Sequence, residues 1–114
     1  MDEIHLRLLK AIEANPQATQ RELAESLGVS LGKTNYCLRA LVDKGWVKAR
    51  NFRANPNKLA YAYLLTPAGL DAKARLTVNF LRCKLAEYEA LHAQIQELQR
   101  EVGVSPETSR EARG

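Results

Sequence analysis

Helical periodicity organises the first half of the chain around the stretch from Thr19 to Gly45. The Thr19 hydroxyl can cap a helix, and Glu22, three residues later, can reach back to the Thr19 amide. Ala18 can pack against Leu23 and so fix the direction in which the chain enters this helix. Because these signals agree, we predict that a helix begins directly after Thr19.

A tight turn separates this helix from a second one. Gly28 is the residue type most easily placed in the left-handed conformation that ends a helix, and the Ser30 hydroxyl can cap the next helix. Gly45 ends the second helix in the same way. The second helix has an apolar face of Thr34, Leu38, Leu41 and Val42, and a polar side of Lys33, Asn35, Tyr36 and Arg39. The pattern therefore predicts a helix-turn-helix.

An amphipathic helix precedes this motif, and two strands follow it. The first helix covers residues 2–14 and stops at Asn15-Pro16, because the residue before a proline disfavours the helical conformation. Its apolar stripe comprises Ile4, Leu8, Ala11 and Ile12. Strand-like alternation then appears at residues 46–49 and 60–65, where Tyr61, Tyr63 and Leu65 share one face. The loop between them, residues 50–58, is expected to form the basic tip of a wing.

A long helix is predicted after the wing. Thr66-Pro67 has the residue types of an N-cap and a first helical position, and no helix breaker follows before Gly103. The helix could therefore cover residues 67–102, about 54 Å. An apolar stripe follows it, with heptad spacing toward its end. The stripe comprises Val78, Leu81, Leu85, Tyr88, Leu91, Ile95, Leu98 and Val102. We expect this stripe to form a dimer seam, the alternative being that it packs on residues 1–65.

Composition and length set the broad class. With 114 residues and 46% hydrophobic composition, the chain suits a globular protein with a small core. We expect a winged helix-turn-helix domain over residues 1–66, a dimerisation helix over 67–102 and a disordered tail over 103–114. The fold class is mainly α (α+β), with a two-stranded wing and a long C-terminal helix. No run of 18 apolar residues and no signal peptide is present, so we expect a cytoplasmic protein.

The two cysteines and two histidines suggest no cofactor, metal or catalytic site. Cys37 and Cys83 form no CxxC pair, so we expect two reduced, partly buried side chains, the alternative for Cys37 being a redox switch. His5 and His92 are interpreted as packing or surface residues. No Ser/His/Asp set, paired carboxylates or Gly-rich phosphate loop is present, so the chain is not expected to be an enzyme.

Charge indicates the partner of the helix-turn-helix. Residues 31–60 carry a net charge of +6, residues 1–30 carry −2 and residues 61–114 are neutral. A positive excess confined to the second helix and the wing is typical of a surface that binds phosphates. The residues we expect to contact double-stranded DNA are Thr19, Ser30, Gly32, Lys33, Asn35, Tyr36, Arg39, Arg50, Arg53 and Lys58. The alternatives are a winged-helix protein-interaction module and an RNA-binding protein.

The order of these elements, with Leu65-Thr66-Pro67-Ala68-Gly69 opening the long helix, resembles winged-helix regulators of the multiple-antibiotic-resistance-regulator (MarR) type. Three runs closely resemble the bacterial subgroup of these regulators that is associated with exopolysaccharide gene clusters. They are TQREL at 19–23, LGVSLGKTNYCL at 27–38 and YAYLLTP at 61–67. The resemblance spans Leu6 to Glu101 and implies transcriptional regulation, with genes of polysaccharide synthesis or export as targets.

Typical members of the MarR family carry an additional N-terminal helix, which helps to build both the dimer interface and a ligand cavity. This chain begins almost at the first helix of the winged domain. The resemblance therefore implies a homodimer held mainly by residues 67–102, and a small-molecule effector is not expected from it.

Overall fold

Four helices and one hairpin make up the part of the protein that the structure describes. The computed structural model describes residues 3–55 and 58–103, without the side chains of residues 52–61. The elements are α1 (Glu3–Ala14), α2 (Gln20–Leu27), α3 (Leu31–Asp43), β1 (Val47–Asn55), β2 (Lys58–Leu65) and α4 (Pro67–Glu101). This mainly helical fold with a two-stranded antiparallel wing and a long last helix confirms the predicted fold class. The tail expected after Gly103 lies outside the described residues.

The ends of α2 and α3 form as their sequences predict. Thr19 Oγ1 accepts a hydrogen bond from the Glu22 amide at 3.1 Å, and Glu22 Oε1 accepts one from the Thr19 amide at 3.4 Å. This reciprocal pair satisfies two amides that the first turn of a helix leaves unpaired. Gly28 and Gly45 both adopt the left-handed conformation, with φ of 70° and 77°. The predicted helix-turn-helix is therefore confirmed.

A single core lies among α1, α2, α3 and the start of the hairpin. Its most deeply buried side chains are Leu8, Leu9, Ile12, Leu23, Leu38, Leu41 and Thr34. The predicted apolar stripe of α1 was too narrow, since Leu6 and Leu9 are also buried. More of the helix surface is covered than predicted because α1 packs against α2, α3 and β2. In α3, Val42 is 38% exposed and Cys37 is buried instead. Cys37 lies between the buried Thr34 and Leu41 at helical spacing, whereas Val42 lies at the edge of that face.

The hairpin is longer than predicted. Strand pairing continues from Val47↔Leu65 to Asn55↔Lys58, with an irregularity between Arg53 and Asn55, so most of the expected basic loop is strand. Charge alone does not end a strand that has one face in water. The Tyr63 amide donates a hydrogen bond to the Pro16 carbonyl in the loop between α1 and α2, at 3.0 Å. The Thr66 amide donates one to the Trp46 carbonyl at the base of the hairpin, also at 3.0 Å.

Helix α4 begins on the winged domain. The Thr66 hydroxyl accepts a hydrogen bond from the Gly69 amide at 3.0 Å and donates one to the Gly45 carbonyl. Gly69 and Ala72 are buried, and Leu76 packs on the core. The chain divides into two compact units, Met1–Val78 and Asn79–Gly114. No helix in the described ranges is long and apolar enough to cross a membrane.

Candidate nucleic-acid interface

Helix α3 presents a polar face opposite its buried face. Thr34, Cys37, Leu38 and Leu41 point into the core. Lys33, Tyr36 and Arg39 are exposed, and the Tyr36 side chain retains 76% of its surface. An aromatic ring with this exposure can pack on a partner molecule, and the two cationic groups can pair with phosphates or guanine edges. The first unit therefore holds a helix with an amphipathic surface suited to a nucleic-acid groove.

A shallow concave surface of about 450 Å³ follows α3. Gly32, Asn35, Tyr36, Arg39, Ala40 and Asp43 line it. Four of these residues were predicted to bind DNA, and the structure brings them together. The sequence analysis missed Asp43, the one acid of the basic segment, which lies one turn beyond Arg39. A carboxylate accepts hydrogen bonds from base amino groups but repels phosphates. This end of α3 is therefore better suited to contact base edges than the DNA backbone.

Asn35 is held by a chain of side-chain hydrogen bonds that the sequence analysis did not anticipate. Its Nδ2 donates to Gln20 Oε1 at 3.1 Å, and Gln20 Nε2 donates to Tyr63 Oη at 3.1 Å. Tyr63 lies on β2 and is only 7% exposed. This chain connects the wing, the first residue of α2 and the middle of α3. No periodic pattern marks such a contact, because its three members are 15 and 43 positions apart in the sequence.

The structure gives Thr19 and Ser30 clear structural roles beside their expected contact with DNA. Both are N-caps, since Thr19 Oγ1 accepts from the Glu22 amide and Ser30 Oγ accepts from the Lys33 amide at 3.0 Å. Gly32, in the first turn of α3, has open space where a Cβ would lie, with nothing within 4 Å. Thr19 and Ser30 thus fix where α2 and α3 begin.

The wing contributes further cations. Lys48 and Arg50 are exposed at alternate positions of β1, so they share the face opposite the buried Val47. Lys48 belongs to residues 31–60, which carry the net charge of +6, but it was not among the predicted contacts. The backbone of Arg53 pairs with Leu59 and that of Lys58 with Asn55, and the side chains of Arg53 and Lys58 lie outside the described residues.

An apolar stripe follows the exposed part of α4. Eight side chains predicted to form a dimer seam are between 45% and 73% exposed: Val78, Leu81, Leu85, Tyr88, Leu91, Ile95, Leu98 and Val102. The Tyr88 and His92 rings stack beside it, with centroids 6.2 Å apart.

The two cysteines differ in their surroundings. Cys37 is buried in the core cluster, whereas Cys83 is exposed on α4, so the expectation of partial burial is wrong for Cys83. Within residues 3–55 and 58–103, no group of three or more His, Cys, Asp or Glu side chains is placed to hold a metal ion.

Sequence comparison defines the class of the first unit. Residues 1–48 match the winged helix-turn-helix DNA-binding family. No curated protein matches the chain. Together with the capped helix pair and the hairpin, the match shows that the chain carries a winged helix-turn-helix DNA-binding domain.

Several solved structures of MarR family regulators share this fold. The PcaV transcriptional regulator from Streptomyces coelicolor, solved with its natural ligand, has a TM-score of 0.66 at 21% identity, over 90% of this chain and 74% of its own. The zinc-responsive MarR family member ZitR of Lactococcus lactis has a TM-score of 0.60 at 17% identity, over 90% and 68%. A MarR protein from Peptoclostridium difficile has a TM-score of 0.60 at 16% identity, over 89% and 70%.

At these identities the likeness establishes the fold. The match of residues 1–48 to a DNA-binding domain agrees with the expectation that the chain is not an enzyme.

Proposed function

We propose that this protein is a homodimeric transcriptional regulator that binds double-stranded DNA sequence-specifically. The observation that carries the proposal is the polar face of α3, where Asn35, Tyr36 and Arg39 line one concave surface. Lys33, in the first turn of the same helix, is exposed. A helix of about 12 Å diameter fits the major groove, where each base pair offers a distinct set of donors and acceptors. The net charge of +6 over residues 31–60 supplies attraction to phosphates.

Different parts of the interface take different roles in this proposal. Side chains of α3 read base edges, Arg39 as a donor to guanine and Asn35 as a partner for adenine. The first turns of α2 and α3, at Thr19, Ser30 and Gly32, approach phosphates. Arg50, Arg53 and Lys58 on the wing contact phosphates or a narrow minor groove, which readily accepts arginine.

The stripe on α4 supports a homodimer. Exposed apolar patches of this kind mark interaction sites, and a heptad-like seam is most readily covered by a second copy of the same helix. Two copies would present two reading helices, which matches DNA sites made of two symmetry-related half-sites. A coiled coil through α4 is therefore the dimer contact that we propose.

A second part of the proposal concerns the genes that the protein regulates. We propose genes of exopolysaccharide synthesis or export, on the resemblance of the LGVSLGKTNYCL run to that subgroup of regulators. The similar structures do not bear on this assignment. Such a regulator acts in the cytoplasm, where a bacterial chromosome lies.

A salt titration distinguishes DNA binding from the alternatives. Anisotropy of a labelled pool of random duplexes should show affinity falling about 10³- to 10⁵-fold between about 50 and 200 mM salt, given six to ten phosphate contacts per dimer. Unlabelled duplex should compete better than unlabelled single-stranded RNA of the same length. Stronger competition by RNA would favour an RNA-binding protein, and a flat salt profile would favour a protein-interaction module.

Two charge-matched variants show where the phosphates bind. Arg50→Ala should lower the salt slope by about one for each phosphate that the wing no longer neutralises. Arg82→Ala removes the same charge from an exposed position of α4 and should leave the slope unchanged. Equal slopes for the two variants would contradict the proposed role of the wing.

A further inference from the structure

The hydrogen bonds that hold Asn35 leave specific atoms of its amide available. An asparagine amide has two N–H donors and an oxygen with two lone pairs. One N–H points to Gln20 Oε1, at 3.1 Å between the heavy atoms. Among the residues that the structure describes, the second N–H and the oxygen have no further partner, and an N–H and an oxygen are the two groups with which asparagine pairs with adenine N7 and N6 in the major groove. The contact with Gln20 therefore selects one orientation of the amide without using the groups that would read a base.

Two members of this chain of contacts, Gln20 and Tyr63, are held in place by backbone structure. Gln20 is the first residue of α2, directly after the Thr19 capping box. Tyr63 is buried, and its amide donates to the Pro16 carbonyl at 3.0 Å. Gln20 is itself half-buried and donates to the Tyr63 hydroxyl. The position of the Asn35 amide is thus set by the winged domain before any partner arrives.

We propose that Gln20 is a specificity-determining residue that acts through Asn35, with Tyr63 orienting Gln20 in turn. This inference rests on the proposed DNA-binding function. A side chain already held in its bound orientation loses less conformational freedom on binding, and an amide that cannot rotate rejects bases whose donor and acceptor order is reversed. Gln20 and Tyr63 then influence the choice of base at the Asn35 position without contacting that base.

The test is a binding selection from a pool of random duplexes at matched salt. Asn35→Ala should reduce the preference at one base position by about 5- to 150-fold, the range expected for one bidentate pair. Gln20→Ala should reduce the preference at that same position by about 2- to 10-fold, the net effect of one hydrogen bond. Tyr63→Phe should act in the same direction and more weakly, since it removes one oxygen and keeps the buried ring.

Two further variants separate positioning from a general structural effect. Gln20→Glu keeps an acceptor for Asn35, and its second carboxylate oxygen can accept a hydrogen bond from the Tyr63 hydroxyl. It should therefore retain the base preference while its negative charge lowers affinity for every duplex. The double variant Gln20→Ala/Asn35→Ala should match Asn35→Ala at that position, because the two residues act as one unit. Gln17→Ala, at a glutamine three residues away, is the control and should leave the preference unchanged.

The outcomes distinguish this inference from the proposed function. If the wild-type protein enriches no motif, the proposed function and this inference fail together. If it enriches a motif that neither Gln20→Ala nor Tyr63→Phe alters, the inference alone is overturned. A change at a base position other than that of Asn35 also overturns it, since Gln20 would then read DNA itself.

Discussion

Gly69→Ala adds a single methyl group where the structure leaves no room for one, so we expect it to lower the stability of the fold. A Cβ built on Gly69 would lie 2.0 Å from the carbonyl oxygen of Trp46 and 2.9 Å from its carbonyl carbon. Ordinary contact begins at 3.4 Å, so the oxygen contact alone requires a movement of about 1.4 Å between two backbone segments. The same Trp46 oxygen accepts the Thr66 amide at 3.0 Å, so this hydrogen bond is strained or broken by the movement.

The expected loss of stability combines three contributions. Overpacking costs about 1–3 kcal/mol, and the Thr66 hydrogen bond contributes a net of about 0.5–1.5 kcal/mol. Alanine offsets about 0.8–1.0 kcal/mol of this through its higher helix propensity. The net destabilisation is about 2 kcal/mol, which lowers the melting temperature of a domain of this size by about 8–16 °C.

Thermal unfolding followed by tryptophan fluorescence measures this effect locally, because Trp46 is the only tryptophan. Gly32→Ala is a matched control, since Gly32 also lies in the first turn of a helix but has nothing within 4 Å of a built Cβ. It should leave the melting temperature unchanged or raise it. A Gly69→Ala variant that melts with or above the wild type would refute the close packing of α4 on Trp46.

Two other predictions concern the dimer seam and the two kinds of DNA contact. Ile95→Asp should convert a dimer into a monomer in light scattering, since burying an unpaired charge costs several kcal/mol. The control Ala93→Asp, on the other side of α4, should stay dimeric. A dimeric Ile95→Asp protein would exclude the seam. Arg39→Ala should cost about 1–3 kcal/mol at one base position and relax the preference there, whereas Arg53→Ala should weaken most sites alike. If Arg53→Ala rewrites the motif and Arg39→Ala does not, the assignment of the grooves is reversed.

The helix-turn-helix could be predicted because its signals are local. The capping box at Thr19, the left-handed glycines and the cap at Ser30 depend on residues within a few positions of one another. The long helix could be predicted for the same reason, since Thr66-Pro67 begins it and no helix breaker interrupts it. Local chemistry of this kind decides where elements begin and end.

Features that depend on tertiary contacts could not be predicted. Gly69 packs against Trp46, which is 23 positions away in the sequence. A glycine in the first turn of a helix does not indicate which residue it will contact. The same holds for Gln20, whose partners lie on α3 and β2. The hairpin was underestimated because the basic residues of β1 resemble a loop, although backbone pairing with β2 extends to Asn55.

The most direct test of the proposed regulator is a genome-wide map of the sites that the protein occupies in its own cell, with wild type and Arg39→Ala side by side. We predict that wild-type sites lie upstream of genes and share a motif of two symmetry-related half-sites. Deleting the protein should change transcription of those genes, and the Arg39→Ala variant should lose the shared motif. Occupancy without a shared motif, or an unchanged motif in Arg39→Ala, would contradict sequence-specific reading by α3.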